Sequence, residues 1–459
     1  MEFLMLLVVF APMVCGIIAY YSGRKSYTMP QILSILVTAI GSAVSVILLA
    51  GKAEFRVDGF CGLGLHFTAS GFNGALVLAS FIWLVTSITS VGYLKETSNQ
   101  ARYYMFALIT YGATLGIFLS ANLYTTFIFF EMMSFASYVL VMHNEDHAAY
   151  RAAQNYLAFA VVGGLVTLMG VFMLYSLTGT LEISELYVAS SAVQNRGMLY
   201  VAGVLTLFGF GVKAGMFPLH TWLPTSYMYA PAPTTALLSA ILSKAGIFGI
   251  FVLTGQVFLH DEKWGMLILV LGMLTMVVGG VFGVLTMNLK RTLAFSSMSQ
   301  IGFILVAVGM QGLLGEENAL AVDGSILHLF NHSMIKVLLF SCAGIIFFNT
   351  GTYDLNKIRG FGRNKPLLGF AFAMGALGII GMPLWNGYIS KTLIHESIVE
   401  YIAIAGEMSG LFRFVEWVFI ISGGLTCAYM LKIFVAVFIE KPEKPLEKKQ
   451  YVSPVVAAG

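Results

Sequence analysis

Six charged side chains stand where charge is expensive. Lys213, Lys244, Lys336, Lys391, Lys432 and Glu131 all lie inside long apolar runs. A charge at mid-bilayer costs about 2.5–3.5 kcal/mol on insertion scales. Five lysines and one acid so placed point to a hydrophilic axis inside a helix bundle. The chemistry open to them is proton exchange, because each can hold or release a proton as the neighbouring charge dictates. In HLFNHSMIK, His328, His332 and Lys336 follow at i, i+4 and i+8. They share one helix face, each step rising about 6 Å, and together resemble a proton wire. Zinc can be held by histidines at i, i+4, but no third histidine or nearby carboxylate supports a metal site here. The blander readings are hydrogen-bonded structural histidines, a structural ion pair for Glu131 and packing against a carbonyl for Lys244. Lys432 stands near the end of its run, where snorkelling explains it equally well.

Helix breakers accompany two of the lysines. Gly209, Gly211, Gly215 and Pro218 surround Lys213; Gly378, Gly381, Pro383 and Gly387 precede Lys391. Proline removes a backbone donor and breaks the helical ladder, so breaks are expected at Pro218 and Pro383. Paired interrupted spans in two halves of a transporter mark inverted repeats and their ion sites. Ordinary kinks are the alternative.

These residues need elements to hold them. The 459-residue chain is 58% hydrophobic and only 10% charged, whereas soluble proteins carry roughly a quarter charged residues. Runs long enough to cross the bilayer lie near 3–21, 31–51, 71–94, 103–120, 122–142, 153–177, 198–219, 232–254, 265–287, 293–314, 325–348, 366–394 and 413–439. Their continuity predicts helices rather than a barrel. With the N-terminus outside, the inside loops carry 15 lysines and arginines and the outside loops 5. The positive-inside rule then places the C-terminus in the cytoplasm. The first run has no basic leader before it and reads as a span, not a signal peptide. Cys15, Cys61, Cys342 and Cys427 are scattered without a CxxC, so no cluster or zinc site is expected. There is no P-loop, and GFGVKAG at 209–215 has the wrong spacing for a dinucleotide. No cofactor, metal, catalytic motif or nucleic-acid partner is expected. Any driving energy must come from partners or from another ion gradient.

FIFFEMMSFASY, VKAGMFPLHTWLP, APAPTTALLSAILSKAG, HLFNHSMIKVLLF and GMPLWNGYISK occur in order over about residues 70–435. In this the chain resembles the antiporter-like subunits of respiratory complex I, of membrane-bound and energy-converting hydrogenases and of Mrp-type sodium/proton antiporters. The resemblance implies an all-α membrane protein of about thirteen transmembrane helices with two inverted five-helix repeats, each containing a discontinuous helix. Residues 1–100 would form an N-terminal three-helix segment, 101–254 the first repeat and 265–440 the second, with 441–459 a charged cytoplasmic tail. It further implies that Glu131 pairs with Lys213 and that Lys244 passes the proton laterally. His328, His332 and Lys336 would line the link into the second half, and Lys391 would be the terminal group. Family members often have an acid and a histidine where Thr225 and Tyr227 stand, and some a histidine at Ser239, so the route by which protons come in departs from the pattern. Family members usually have fourteen helices.

The expected function is ion translocation by a membrane subunit of a larger redox-driven complex, hydrogenase-type first and Mrp-type antiporter second. A self-contained transporter of a small solute and a membrane scaffold with merely paired charges are the rivals. Other membrane subunits and the lipid of the inner (cytoplasmic) membrane are the expected partners. The loop charges generate a direct test. A reporter fused after Lys449 should read cytoplasmic, and a periplasmic signal there would show the helix count to be off by one.

Overall fold

The computed structural model describes residues 1–60, 63–69, 73–95 and 97–441. Cys61 and the charged tail from residue 442 lie outside them. The chain runs α1 (Glu2–Ser22), α2 (Met29–Leu49), β1 (Glu54–Val57), β2 (Leu65–Thr68), α3 (Asn73–Tyr93), α4 (Gln100–Phe118), α5 (Leu123–Val141) and α6 (His147–Thr178). It continues α7 (Leu186–Ser191), α8 (Arg196–Ala214), α9 (Trp222–Tyr229), α10 (Ala232–Leu237), α11 (Ser243–Val252), α12 (Glu262–Leu285) and α13 (Leu289–Leu314). Last come α14 (Ala319–Thr350), α15 (Pro366–Ile380), α16 (Asn386–Ile404) and α17 (Ser409–Phe434).

The protein is a multi-pass membrane protein built of helices. Among the described residues, eleven helices are long and apolar enough to cross a membrane. The sequence runs number thirteen. Of the other two, 103–120 is α4, which falls outside that set, and 366–394 is divided between α15 and α16. One small element had no forecast. β1 and β2 form an antiparallel hairpin, Glu54 opposite Thr68, in what read as a loop.

Contacts group Met1–Ala214 with Tyr229–Val257, and Gly215–Met228 with the described residues from Phe258 onward. The stretch 215–228, expected inside the first repeat, therefore groups with the second half. Each unit contains the same local construction. In the first, the Asn122 side chain caps α5 by accepting from the Thr125 amide, and Asn122 bridges to Glu182 just past α6. In the second, Asn288 caps α13 by accepting from the Arg291 amide and bridges to Asp354 just past α14. α6 and α14 both have 32 residues and both end on a left-handed glycine, Gly179 and Gly351. Both glycines lie in the tripeptide TGT, at 178–180 and again at 350–352. A short polar N-cap and a glycine C-cap are the ordinary means of satisfying orphaned helix ends.

In the second unit the core is the α12–α13 pair. A Cβ on Gly272 would stand 2.7 Å from the Val306 amide nitrogen, one on Gly279 2.5 Å from that of Ser299, and one on Gly302 2.3 Å from that of Met276. Glycine at heptad spacing lets two backbones touch, which is how membrane helices associate where no hydrophobic force acts between them. All of α13 except Arg291 is buried, and the face opposite the seam is free to carry the site described below. Gly302→Ala should overpack this seam and destabilise the second unit by about 1–3 kcal/mol, read as a lower detergent-denaturation midpoint. An unchanged midpoint would mean that the seam can open at no cost.

Candidate functional site: buried lysines and their acceptors

Lys213, Lys244, Lys336 and Lys391 are 3%, 1%, 0% and 9% exposed, so each ammonium must find its acceptors within the protein. In the first unit Lys213, in the last turn of α8, donates to Ser134 Oγ on α5 at 3.1 Å and to the Tyr156 hydroxyl on α6. The Tyr156 hydroxyl also hydrogen-bonds Ser137 Oγ at 2.6 Å. Glu131 lies one turn from Ser134 on α5. It forms no ion pair with Lys213 within 4.0 Å among the described residues, and its buried Oε1 has no hydrogen-bond partner among them. Its carboxylate rests against Gly164 of α6, where a Cβ would fall 2.3 Å from Oε1. Two hydroxyls thus hold the Lys213 ammonium, with Ser137 behind Tyr156.

Lys244 turns back on its own helix. Its ammonium donates to the Ser239 carbonyl at 2.6 Å and to Ser243 Oγ at 3.4 Å. Residues Leu238–Leu242 form a π turn, the kind of local widening that shifts carbonyls out of the regular ladder and recurs at functional sites.

In the second unit one face of α13 meets one face of α14 in register. Lys336 donates to the Leu293 carbonyl at 3.0 Å and to Ser296 Oγ at 2.8 Å. Two turns along α14, His328 Nε2 meets Gln300 Oε1 at 3.1 Å and His328 Nδ1 meets Ser390 Oγ at 2.9 Å. Because the Gln300 amide nitrogen donates to Thr426, its oxygen is the acceptor for Nε2–H. The His332 ring stacks near-parallel to that of His328, centroids 6.5 Å apart. The expected common face of His328, His332 and Lys336 is present, and all three are buried.

The α15–α16 break holds Lys391. Gly381 closes α15 at φ 87°, a left-handed conformation that glycine adopts without strain. Gly387 opens α16 so close to α15 that a Cβ would lie 1.8 Å from the Gly378 carbonyl oxygen. The ammonium of Lys391 reaches the Ile379 and Ile380 carbonyls at 2.8 and 3.3 Å. These are orphan carbonyls of a helix C-terminus, where the helix dipole favours a cation. Lys391 also lies 4.6 Å from the centroid of Phe303, which is 6.1 Å from the His328 ring. The Asn331 side chain donates to the Asn386 backbone carbonyl and accepts from the Asn386 side-chain amide, tying the start of α16 to α14. At the other break, α8 ends at Ala214 and α9 begins at Trp222, with Pro218 between them. Thr225 and Tyr227, the departures from the family pattern, hold a helical carbonyl and pack on Trp222.

Several participants escaped the sequence reading. Tyr156, Ser134 and Gln300 carry no charge and sit at helical spacing among other polar residues. Ser390 stands beside Lys391 in the motif NGYISK and was findable there. Lys290, read as a loop residue, is 1% exposed, its ammonium 5.2 Å from the centroid of the Tyr353 ring. Lys432 does more than snorkel, for it donates to the Gly283, Val284 and Thr286 carbonyls at the end of α12. No group of three metal-ligating side chains occurs among the described residues.

Sequence comparison matches residues 120–415 to the family described as NADH:quinone oxidoreductase/Mrp antiporter, transmembrane. The chain belongs to this family. Across the NADH:quinone oxidoreductase/Mrp antiporter family it is similar to a Na(+)/H(+) antiporter subunit of Bacillus subtilis (strain 168), 29% identical over 96% of the chain and 88% of the relative. It is also similar to hydrogenase-4 component B of Escherichia coli (strain K12), 29% identical over 80% of the chain and 56% of the relative. Its fold matches a chain in the Mrp complex from a Dietzia species with TM-score 0.84, at 24% identity, over 96% of this chain and 81% of that one. Membership makes the protein an antiporter-like, ion-translocating membrane subunit, and these relatives are parts of multi-subunit assemblies. The Lys213 geometry yields a test. Tyr156→Phe removes the hydroxyl that bridges Lys213 to Ser137 while keeping the ring. Ion movement by the assembled complex should fall roughly tenfold or more, and a wild-type rate would make Tyr156 mere packing.

Proposed function

We propose that the chain is the proton-moving subunit of a multi-subunit complex of the Mrp antiporter type, with two relay stages. In the first, protons are held by Lys213 beside Glu131 and passed to Lys244. In the second, they move over His328, His332 and Lys336 to Lys391. Two inverted repeats supply the stages, a reading that the doubled Asn-cap and TGT construction supports. The N-terminus lies outside and the C-terminus in the cytoplasm.

The observation that carries this is the set of enclosed lysines whose ammonium groups are held by carbonyls and hydroxyls. An ammonium can yield a proton but cannot ligate a metal cation, so these groups suit protons and not sodium. Held by neutral acceptors, each lysine is sensitive to any carboxylate or cation that approaches. Glu131 is the movable partner, since its buried oxygen is not tied to another group among the described residues. Moving that carboxylate toward or away from Lys213 would favour or disfavour the proton there.

The Mrp assignment rests on likeness to the Na(+)/H(+) antiporter subunit of Bacillus subtilis, matched over 96% of the chain, and to the Dietzia Mrp complex chain. Lys244→Ala in the reconstituted complex should stop proton movement without loss of partner subunits on purification. Lys244→Arg should not restore it, since arginine keeps its proton. Wild-type flux through Lys244→Ala would overturn the relay. Flux driven by a sodium or pH gradient alone supports the antiporter, whereas flux that requires turnover of a redox partner would move the chain to a hydrogenase-type complex.

A further inference from the structure

One corner of the first unit collects polar atoms that the relay leaves unused. Arg102 and Tyr103 lie in the first turn of α4, and His143 follows the end of α5. Arg102 pairs with Glu145, and the Asn99 side-chain amide donates to both Glu145 oxygens at 3.2 Å. The His143 ring stands edge-on to the Tyr103 ring, centroids 5.1 Å apart. His143 is 3% exposed and Tyr103 2%. Among the described residues, His143 Nδ1, the Tyr103 hydroxyl, and Arg102 Nε and Nη2 are buried without hydrogen-bond partners. An unsatisfied buried polar atom is costly; four at one corner are the mark of a site that works wet. The backbone is unusual there too. Asn99 and Glu145, which face each other, both have positive φ, 59° and 56°, and such strain clusters at functional sites.

The corner leads toward Lys244. Asn144 donates to the Tyr229 carbonyl at 2.9 Å, and Thr234 lies against the end of α5, 3.5 Å from the Leu140 carbonyl. The Tyr103 hydroxyl looks onto Thr234 without closing a regular hydrogen bond. Thr234 is one wide turn before Ser239, whose carbonyl holds the Lys244 ammonium. The file His143, Tyr103, Thr234, Ser239, Lys244 therefore runs within one unit from the end of α5 into the first relay stage.

We propose that His143, set between Arg102, Tyr103 and Glu145, is the proton-uptake group that feeds Lys244. The inference rests on the relay reading above. An ion-paired corner pinning α4 to α5 accounts for Arg102 and Glu145 but leaves the buried imidazole and the open hydroxyl unexplained. Two other polar clusters, His66 with Glu182 and His395 with Glu416, are closed by direct hydrogen bonds and offer no such opening. The groups facing His143 are Thr97 before α4, Arg102 and Tyr103 on α4, and Glu145 on its own turn. Burial first, then the Arg102 charge, hold the imidazole down at about 4, while Glu145 pulls it back up. At neutral pH the ring is thus uncharged, and can accept a proton at one nitrogen as it releases one from the other. No proton is stored there.

The test uses the whole complex in sealed vesicles with the α5 C-terminal face outward. His143→Leu and His143→Gln should both slow proton uptake on the order of tenfold or more, with partner subunits still bound. Imidazole added on that face should restore flux to the leucine variant, and Tyr103→Phe should slow uptake with its ring packing intact. Wild-type flux and pH profile in the His143 variants, or no rescue of an assembled variant, would overturn the proposal. Lys244→Ala is run beside them. If it is inactive while the His143 variants are normal, only the uptake site falls; if it is active, the relay itself fails.

Discussion

A buried ammonium group has three donors to satisfy, and the structure turns on how those donors are met. Here the answer is mostly the peptide carbonyl. Lys391 takes the orphan carbonyls at the end of α15, Lys432 those at the end of α12, Lys244 one beside a π turn, and Lys336 one on α13. Inside a regular helix each carbonyl already accepts from four residues on, so only its second lone pair is left, as Lys336 uses at Leu293. Helix ends, breaks and wide turns leave whole carbonyls free. The interruptions near Pro383 and within α10–α11 are thus the condition for keeping a charge at that depth, and the apolar helices around them exist to hold the breaks in place.

α13 shows how packing serves this. One face is drawn onto α12 by the glycine seam, and the other presents the Leu293 carbonyl, Ser296, Gln300 and Phe303 in succession to α14 and α16. Since side chains three and four apart share a helix face, close approach on one side fixes the azimuth of all four groups on the other. A bulky residue in the seam would rotate or displace the whole row at once.

Much of this was legible in advance. Charge in an apolar run is conspicuous, so all five lysines and Glu131 could be named, and i, i+4, i+8 spacing placed the α14 trio on one face. Gly and Pro marked both breaks. The acceptors were not legible, because a carbonyl belongs to every residue and only the fold shows which are unpaired. Neutral partners such as Tyr156 and Gln300 look in sequence like any polar residue on a membrane helix. The hydroxyls of Ser134 and Tyr156 that hold Lys213 near Glu131 are likewise set by packing and not by any spacing rule. Lys290 was misread because a lysine beside Arg291 at a loop resembles topogenic charge, while its burial depends on Tyr353, far along the chain. The TGT repeat lay in plain sight, but its meaning emerged only when both copies were seen to follow helices of equal length.

The carbonyl acceptors have a further consequence, a genetic one. A side chain can be deleted by one codon change; the oxygen of a peptide bond cannot. Much of the environment of Lys244, Lys336, Lys391 and Lys432 is therefore written in backbone shape and is inherited whatever residue occupies the position. Alanine scanning across α15 or α12 would report the side-chain packing of Ile379, Ile380, Gly283 and Val284 and never their oxygens, though those oxygens hold the charge. Drift can proceed at such positions without touching the ammonium, so relatives could share this solvation while sharing few of the residues that supply it.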